Sequence, residues 1–197
     1  MKRVFVAGAS GVIGVRLLPL LVRAGHTAAG MTRSPHKADA IRALGAAPVV
    51  CDVYDADAVT AAMVAFAPDT LVNLLTDLPD DERLIAEHTA ANARIRREGG
   101  RNLLAAARSA GVRRVLAESI AWTIPGDGGA AALELERAVL DAGGVVLRYG
   151  RLYGPGTYYE TDVPEPPRVH VDTAASRTLD ALDATSGIVT IAESREE

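Results

Sequence analysis

Three glycines, Gly8, Gly11 and Gly14, stand at a spacing suited to cradling an anion. They belong to Val4-Phe5-Val6-Ala7-Gly8-Ala9-Ser10-Gly11-Val12-Ile13-Gly14, where a short apolar run meets an apolar helical pattern that continues to Arg23. That order reads as strand, tight turn and helix. Gly8 can take the backbone conformation that a sharp exit from a strand requires. Gly11 puts no side chain between a phosphate and the helix N-terminus, where free N–H groups and the helix dipole favour an anion. Gly14 lets the helix pack closely on the strand. The expected ligand is the pyrophosphate of a dinucleotide, surrounded by Gly8, Ser10, Gly11, Val12, Ile13 and Gly14.

The residues after the second expected strand bear on which dinucleotide. In NAD-binding versions of this arrangement an acidic residue about 20 positions past the glycines accepts hydrogen bonds from the adenosine ribose. That count lands on Met31-Thr32-Arg33-Ser34, which holds no Asp or Glu. Asp39 falls later, on the next helix. Arg33 offers a planar cation suited to a 2′-phosphate that a carboxylate would repel, and Ser34 adds a hydroxyl. NADP is therefore expected ahead of NAD. Asp52 and Val53, at the end of the third strand, are expected beside the adenine.

The elements that must position these residues alternate along the chain. Strands are expected at Thr27 to Met31, Pro48 to Cys51, Thr70 to Leu75, Val112 to Ser119, Gly144 to Leu152, Val169 to Val171 and Ile188 to Ile191. Helices fill the intervals: 36–44, a segment capped by Asp55 and running to Phe66, a long one over 82–110, 130–141, and 173–182 capped by Asp172. Gly99-Gly100 inside the long helix marks a kink or close packing. Such alternation implies an α/β, doubly wound parallel sheet, the Rossmann fold, with right-handed crossovers. No repeat or linker is visible, so residues 1–197 read as one domain, with 153–197 as a small substrate-side appendage.

Composition narrows the function class. The 197 residues are 49% hydrophobic but only 4% aromatic, so the core is expected to be Ala, Val, Leu and Ile. A net charge of −4 with both signs interspersed argues against a nucleic-acid or polybasic membrane partner. Cys51 is the only cysteine, and no His/Asp/Glu spacing suggests a metal. A soluble cytoplasmic protein is the expectation, and a homo-oligomer is compatible with it.

Five segments together resemble the extended or atypical short-chain dehydrogenase/reductase superfamily, the NAD-dependent epimerase/dehydratase group. They are the glycine turn; Asn92 to Ala107 with Gly111 to Val115; Glu118-Ser119-Ile120-Ala121-Trp122; Leu147 to Gly156, which contains Tyr153-Gly154-Pro155-Gly156; and Val169 to Ala174. The resemblance places the catalytic Ser at Ser119 and implies a Tyr-x-x-x-Lys pair on the following helix, the Tyr as proton donor and the Lys lowering its pKa. With Glu136 matched to that helix's usual glutamate, the pair falls on Gly128 and Ala132, and residues 123–147 contain neither Tyr nor Lys. A phenol with a pKa of about 10 needs a nearby cation to act at neutral pH.

Other groups are candidates for what remains. Ser119 stands at the carboxyl end of the fifth strand, where ligands bind in open α/β sheets. Glu118 should point to the opposite face. Tyr149, Tyr153, Tyr158 and Tyr159 cluster near the sixth-strand exit, and Tyr153 is the leading replacement for the missing phenol. Thr76 is placed to touch the nicotinamide ribose, Trp122 to roof the pocket, and His170 to serve as an acid or base. The leading expectation is an NADP-dependent oxidoreductase or epimerase acting on a small carbonyl or sugar-like substrate. Beside it stand a non-catalytic NADP(H)-binding sensor or interaction protein, and a lyase or isomerase with structural NADP. Retention of Ser119 and the Tyr-Gly-Pro-Gly segment favours an enzyme; loss of Tyr-x-x-x-Lys favours the sensor.

Overall fold

The computed structural model describes residues 1–193; the last four residues of the expected appendage, 194–197, lie outside the described residues. Its centre is a seven-stranded sheet in which every pair is parallel: β1 (Arg3–Ala7), β2 (Thr27–Thr32), β3 (Ala47–Val50), β4 (Thr70–Asn73), β5 (Arg114–Ile120), β6 (Val145–Tyr149) and, last in the chain, β9 (Gly187–Ile191). Their order is β3-β2-β1-β4-β5-β6-β9, so the chain winds outward in both directions from β1. This is the expected doubly wound fold, with its switch point between β1 and β4.

Both faces of the sheet are covered, which is why its strands are apolar at nearly every position. Alternation along β1 sends Val4 and Val6 to one face, against Leu17, Leu18 and Leu21 of α1 (Gly14–Arg23) and Ile41 of α2 (Ala38–Ala43). Phe5 and Ala7 go to the other, against Val59 and Met63 of α3 (Ala56–Phe66) and Leu103 and Ala106 of α5 (Gly100–Ser109). Under β5 and β6, α6 (Gly126–Asp141) contributes Leu135 and Val139, and α7 (Val171–Asp180) contributes Ala174 and Ala175 to the first face. Asp55 caps α3 as expected, its carboxylate accepting from Ala58 N–H at 2.9 Å.

Four expectations are corrected. The helix expected over 82–110 is broken: Asp81 caps a single 3-10 turn at Glu82–Leu84, and the true helix starts with α4 (Thr89–Arg94). It passes through a π-helical turn (Ile95–Gly99) into α5. Gly99 and Gly100 serve close packing, since a Cβ there would stand 3.1 Å from Val53 and 2.7 Å from Leu135. The α6 helix begins at Gly126, four residues early, because Arg97 in the π turn binds Asp127 (2.7 Å) and Glu134 (2.7 Å) and draws the glycine-rich stretch into the helix. The sixth strand stops at Gly150, whose Cβ would collide with the Arg168 backbone at 2.7 Å. The chain then forms β7 (Arg151–Tyr153), which pairs with β8 (Arg168–His170) in a separate two-stranded sheet. Finally, α7 is capped by His170, not Asp172: the imidazole Nδ1 accepts from Asp172 N–H at 3.3 Å.

Candidate functional site

The carboxyl ends of β1, β2, β3 and β4 bring the expected dinucleotide residues to one edge of the sheet. Gly8 has φ +83°, and a Cβ on it would lie 2.7 Å from the Leu74 carbonyl oxygen. At Gly14 a Cβ would meet Gly8 O at 2.5 Å and Ala9 O at 2.6 Å, so α1 sits on the turn with no room for a methyl group. Gly11 differs: it is exposed, and only Gly8 O, at 3.3 Å, lies near its missing side chain. Among the described residues the N–H groups of Ser10, Val12 and Ile13 find no acceptor. Free amides, open space at Gly11 and the N-terminus of a ten-residue helix form a cradle that fits a pyrophosphate.

Around it, Ser10 Oγ lies 3.1 Å from Thr32 Oγ1, and Ser34 N–H donates to the same hydroxyl at 3.2 Å. Arg33 is largely exposed and pairs with Asp77. Asp52 is exposed, its carboxylate accepting from Tyr54 N–H; Val53 is buried with its carbonyl accepting from Asn102 Nδ2 at 3.0 Å. Thr76 is exposed on the loop after β4. All these positions stand at or follow the carboxyl ends of neighbouring strands.

The nicotinamide end of such a crevice lies over β4 and β5, and here two buried charge networks replace the expected acid machinery. Ser119, 2% exposed, donates its hydroxyl proton to Glu136 Oε1 at 2.5 Å. Glu136 is held in turn by Arg148 through two bonds of 2.8 and 2.6 Å. On the opposite face, as strand alternation demands, Glu118 receives three bonds of 3.1–3.2 Å from Arg96. That pair forms just past the last β4 rung, Asn73 against Ala117, which is why a helix from the far face reaches Glu118. Gly128 and Ala132 are buried on α6, with Gly128 packed beside Thr89 of α4.

None of the clustered tyrosines offers a free hydroxyl. Thr178 spends its proton on the Ala174 carbonyl (2.6 Å), so Tyr149 donates to Thr178, 2.6 Å away. Tyr153, on the separate small sheet, donates to Glu193 at 2.5 Å. Tyr158 donates to the Pro79 carbonyl and Tyr159 to Glu82 at 2.7 Å. Burial pushes the Tyr149 phenol up, and the bond to the Glu193 carboxylate, followed by burial, does the same to Tyr153. His170 caps α7 and packs edge-on against the Tyr153 ring. Trp122 is half-buried beneath the Arg151 guanidinium, 4.9 Å from the ring centre.

These residues set the site's acid response. Burial raises the Glu136 carboxyl, but the Arg148 guanidinium and the Ser119 hydroxyl outweigh it and hold the folded pKa below the usual carboxylate range. A depressed folded pKa contributes stability that is complete above the unfolded pKa and is lost as pH falls through the folded one. Urea midpoints of the wild type are therefore expected to drop on acidification below the ordinary carboxylate range, and Glu136→Gln to flatten that part of the profile. Parallel profiles for both proteins would refute it.

The family model that matches residues 4–129 is that of the NAD dependent epimerase/dehydratase family. The chain belongs to this family. A Streptomyces protein named 3-diazoavenalumate denitrifying reductase is 41% identical over 188 residues, covering 81% of this chain. This chain spans 59% of that reductase's length. Among solved structures, UDP-glucose 4-epimerase of Thermus thermophilus in complex with NAD superposes with a TM-score of 0.80 at 19% identity, over 96% of this chain and 77% of its own. The UDP-Glc/GlcNAc 4-epimerase of Campylobacter jejuni gives 0.80 at 16%, over 98% and 78%. Both share the doubly wound fold of this family member.

Sequence reasoning missed Arg96, Arg148 and Asp77. Arg96 sits in Arg94-Ile95-Arg96-Arg97-Glu98, a run that reads as a solvated helix face. The π turn rotates Arg96 inward, where it is 4% exposed, while Arg94 and Arg97 stay outside with carboxylate partners.

Proposed function

We propose that this chain is an NADP(H)-dependent reductase whose substrate accepts a hydride without a proton from the protein. The observation that carries the reading is the pairing of a built pyrophosphate cradle with tyrosine hydroxyls already committed to Thr178, Glu193, Pro79 and Glu82. Gly8, Ser10 to Gly14, Asp52, Val53 and Thr76 would hold the dinucleotide, and Arg33 with Ser34 the 2′-phosphate. When bound, the dinucleotide supplies a hydride at the nicotinamide ring. Carbonyl reduction creates an alkoxide that must be protonated, and among the described residues the tyrosines near the sixth-strand exit are committed and 123–147 hold no lysine to do so. The reductase similar to this chain is named for a diazo substrate and for removing nitrogen. A diazo group in its aryl diazonium form makes no such demand: the hydride neutralises the cation and ends as the new ring C–H, the C–N bond breaks, and its electron pair leaves with N2. Arg151 over Trp122, just past the end of β5, would seat a planar anionic molecule of this kind.

A second reading, an NADP(H)-binding protein without turnover, is favoured by the committed Ser119 proton. One assay separates them: loss of NADPH absorbance in the presence of a diazo-substituted aromatic acid. Tight NADPH binding with no consumption of any such electrophile would leave the binding role.

The nucleotide preference has its own test. Arg33→Ala is expected to weaken NADPH binding about 10- to 100-fold, the value of charge-assisted hydrogen bonds to a phosphate, and to leave NADH within about twofold. Equal loss for both nucleotides in a fluorescence titration would remove the NADP assignment.

A further inference from the structure

Arg33 and Asp77 come from different loops and meet above the glycine turn. Arg33 follows β2, Asp77 follows β4, and those strands flank β1 on either side. Arg33 Nη2 lies 3.2 Å from Asp77 Oδ1, so this ion pair spans the mouth of the cradle. Its partners are unequal. The Asp77 side chain is 19% exposed and that of Arg33 64%. Asp77 is anchored, with its N–H donating to Asn92 Oδ1 of α4 at 3.0 Å. It also stands near enough to Tyr54, on the loop after β3, to act with burial in raising that phenol's pKa. Arg33 has no other hydrogen-bond acceptor among the described residues. A fixed carboxylate thus holds a movable guanidinium.

We propose that Asp77 sets the nucleotide preference of the cleft by competing for Arg33. A 2′-phosphate must draw the guanidinium away from a carboxylate; a ribose with a free 2′-hydroxyl makes no such demand. Asp77 is therefore a specificity-determining residue that moderates NADP(H) affinity. This inference rests on the NADP reading of the cleft.

Asp77→Asn keeps the shape and removes the charge. Isothermal titration is expected to show NADPH binding about three- to tenfold tighter, with NADH changed less than about twofold. The gain should shrink at high salt, because the pair is solvent-screened. In Arg33→Ala/Asp77→Asn the gain over Arg33→Ala alone should largely vanish. If Asp77→Asn selectively weakened NADH, Asp77 would be a ribose acceptor and the proposal wrong. An unchanged NADPH affinity in Asp77→Asn, with Arg33→Ala still selective, overturns this inference and spares the NADP reading. Wild-type protein that bound neither nucleotide would end both.

Discussion

Arg96→Ala is expected to lower the free energy of unfolding by about 3–5 kcal/mol, a large part of the roughly 5–15 kcal/mol a domain possesses. The Arg96 and Glu118 side chains are 3% and 9% exposed, and three hydrogen bonds join them. Removing the guanidinium leaves a carboxylate in a nearly dry site without a counter-ion, and opens a cavity beneath the π turn. Each effect alone is among the costly mutational mechanisms. The control is Arg96→Met/Glu118→Leu, which removes both charges and fills the space; replacing a whole buried pair by apolar groups is often neutral. The double variant should therefore recover most of the loss in a urea titration. If Arg96→Ala shifted the midpoint no more than the same change at Arg94, whose side chain is 58% exposed, Arg96 would not be buried as described.

Gly14→Ala should abolish dinucleotide binding, with an affinity loss of at least about 100-fold by the geometry of a shared backbone contact. The added Cβ would stand 2.5 Å from Gly8 O and 2.6 Å from Ala9 O. Both are backbone atoms of the turn itself, so relief requires α1 to lift away from the cradle, carrying the free amides with it. The overpacking should also cost about 1–3 kcal/mol of stability. Gly11→Ala provides the contrast. Its Cβ has only one neighbour, at 3.3 Å, so the fold should be retained while the methyl group occupies phosphate space. Equal NADPH affinity in Gly14→Ala and wild type would show that the turn is not the pyrophosphate site.

The two charge networks at the end of β5 bear on what the protein does as much as on how stable it is. Ser119 is where the family resemblance places its serine, yet it gives its proton to Glu136, which Arg148 keeps charged. Gly128 and Ala132 are buried on α6, so that helix presents no phenol or ammonium beside this network.

Much of this was legible from residue order. The turn at Gly8–Gly14 announced itself because glycine spacing, flanking strand and helix are all local, and the structure gives Gly8 and Gly14 a steric reason and leaves open space at Gly11. Strand alternation likewise foretold that Glu118 and Ser119 part to opposite faces. The start of α6 at Gly126 was not legible, since glycines oppose a helix and the contacts that favour it, the Arg97 bonds to Asp127 and Glu134 and the packing of Gly128 on Thr89, come from distant residues. The sixth strand's end at Gly150 was hidden for the same reason: it depends on Arg168, eighteen positions on.

By itself, then, the sequence determined the alternating strands and helices, the parallel sheet they must form, the glycine cradle and the lack of any Tyr or Lys across residues 123–147. These rest on periodicity, short-range geometry and residue identity, which a chain carries wherever it goes. The tertiary structure alone decided that Arg96 is buried, which carboxylates Ser119, Tyr153 and Tyr159 serve, and that Arg33 meets Asp77 across β1. Those are pairings between residues 17 to 77 positions apart. Side-chain partnership at that range depends on which strands lie side by side, and charge and hydroxyl groups have no period by which a sequence could announce it.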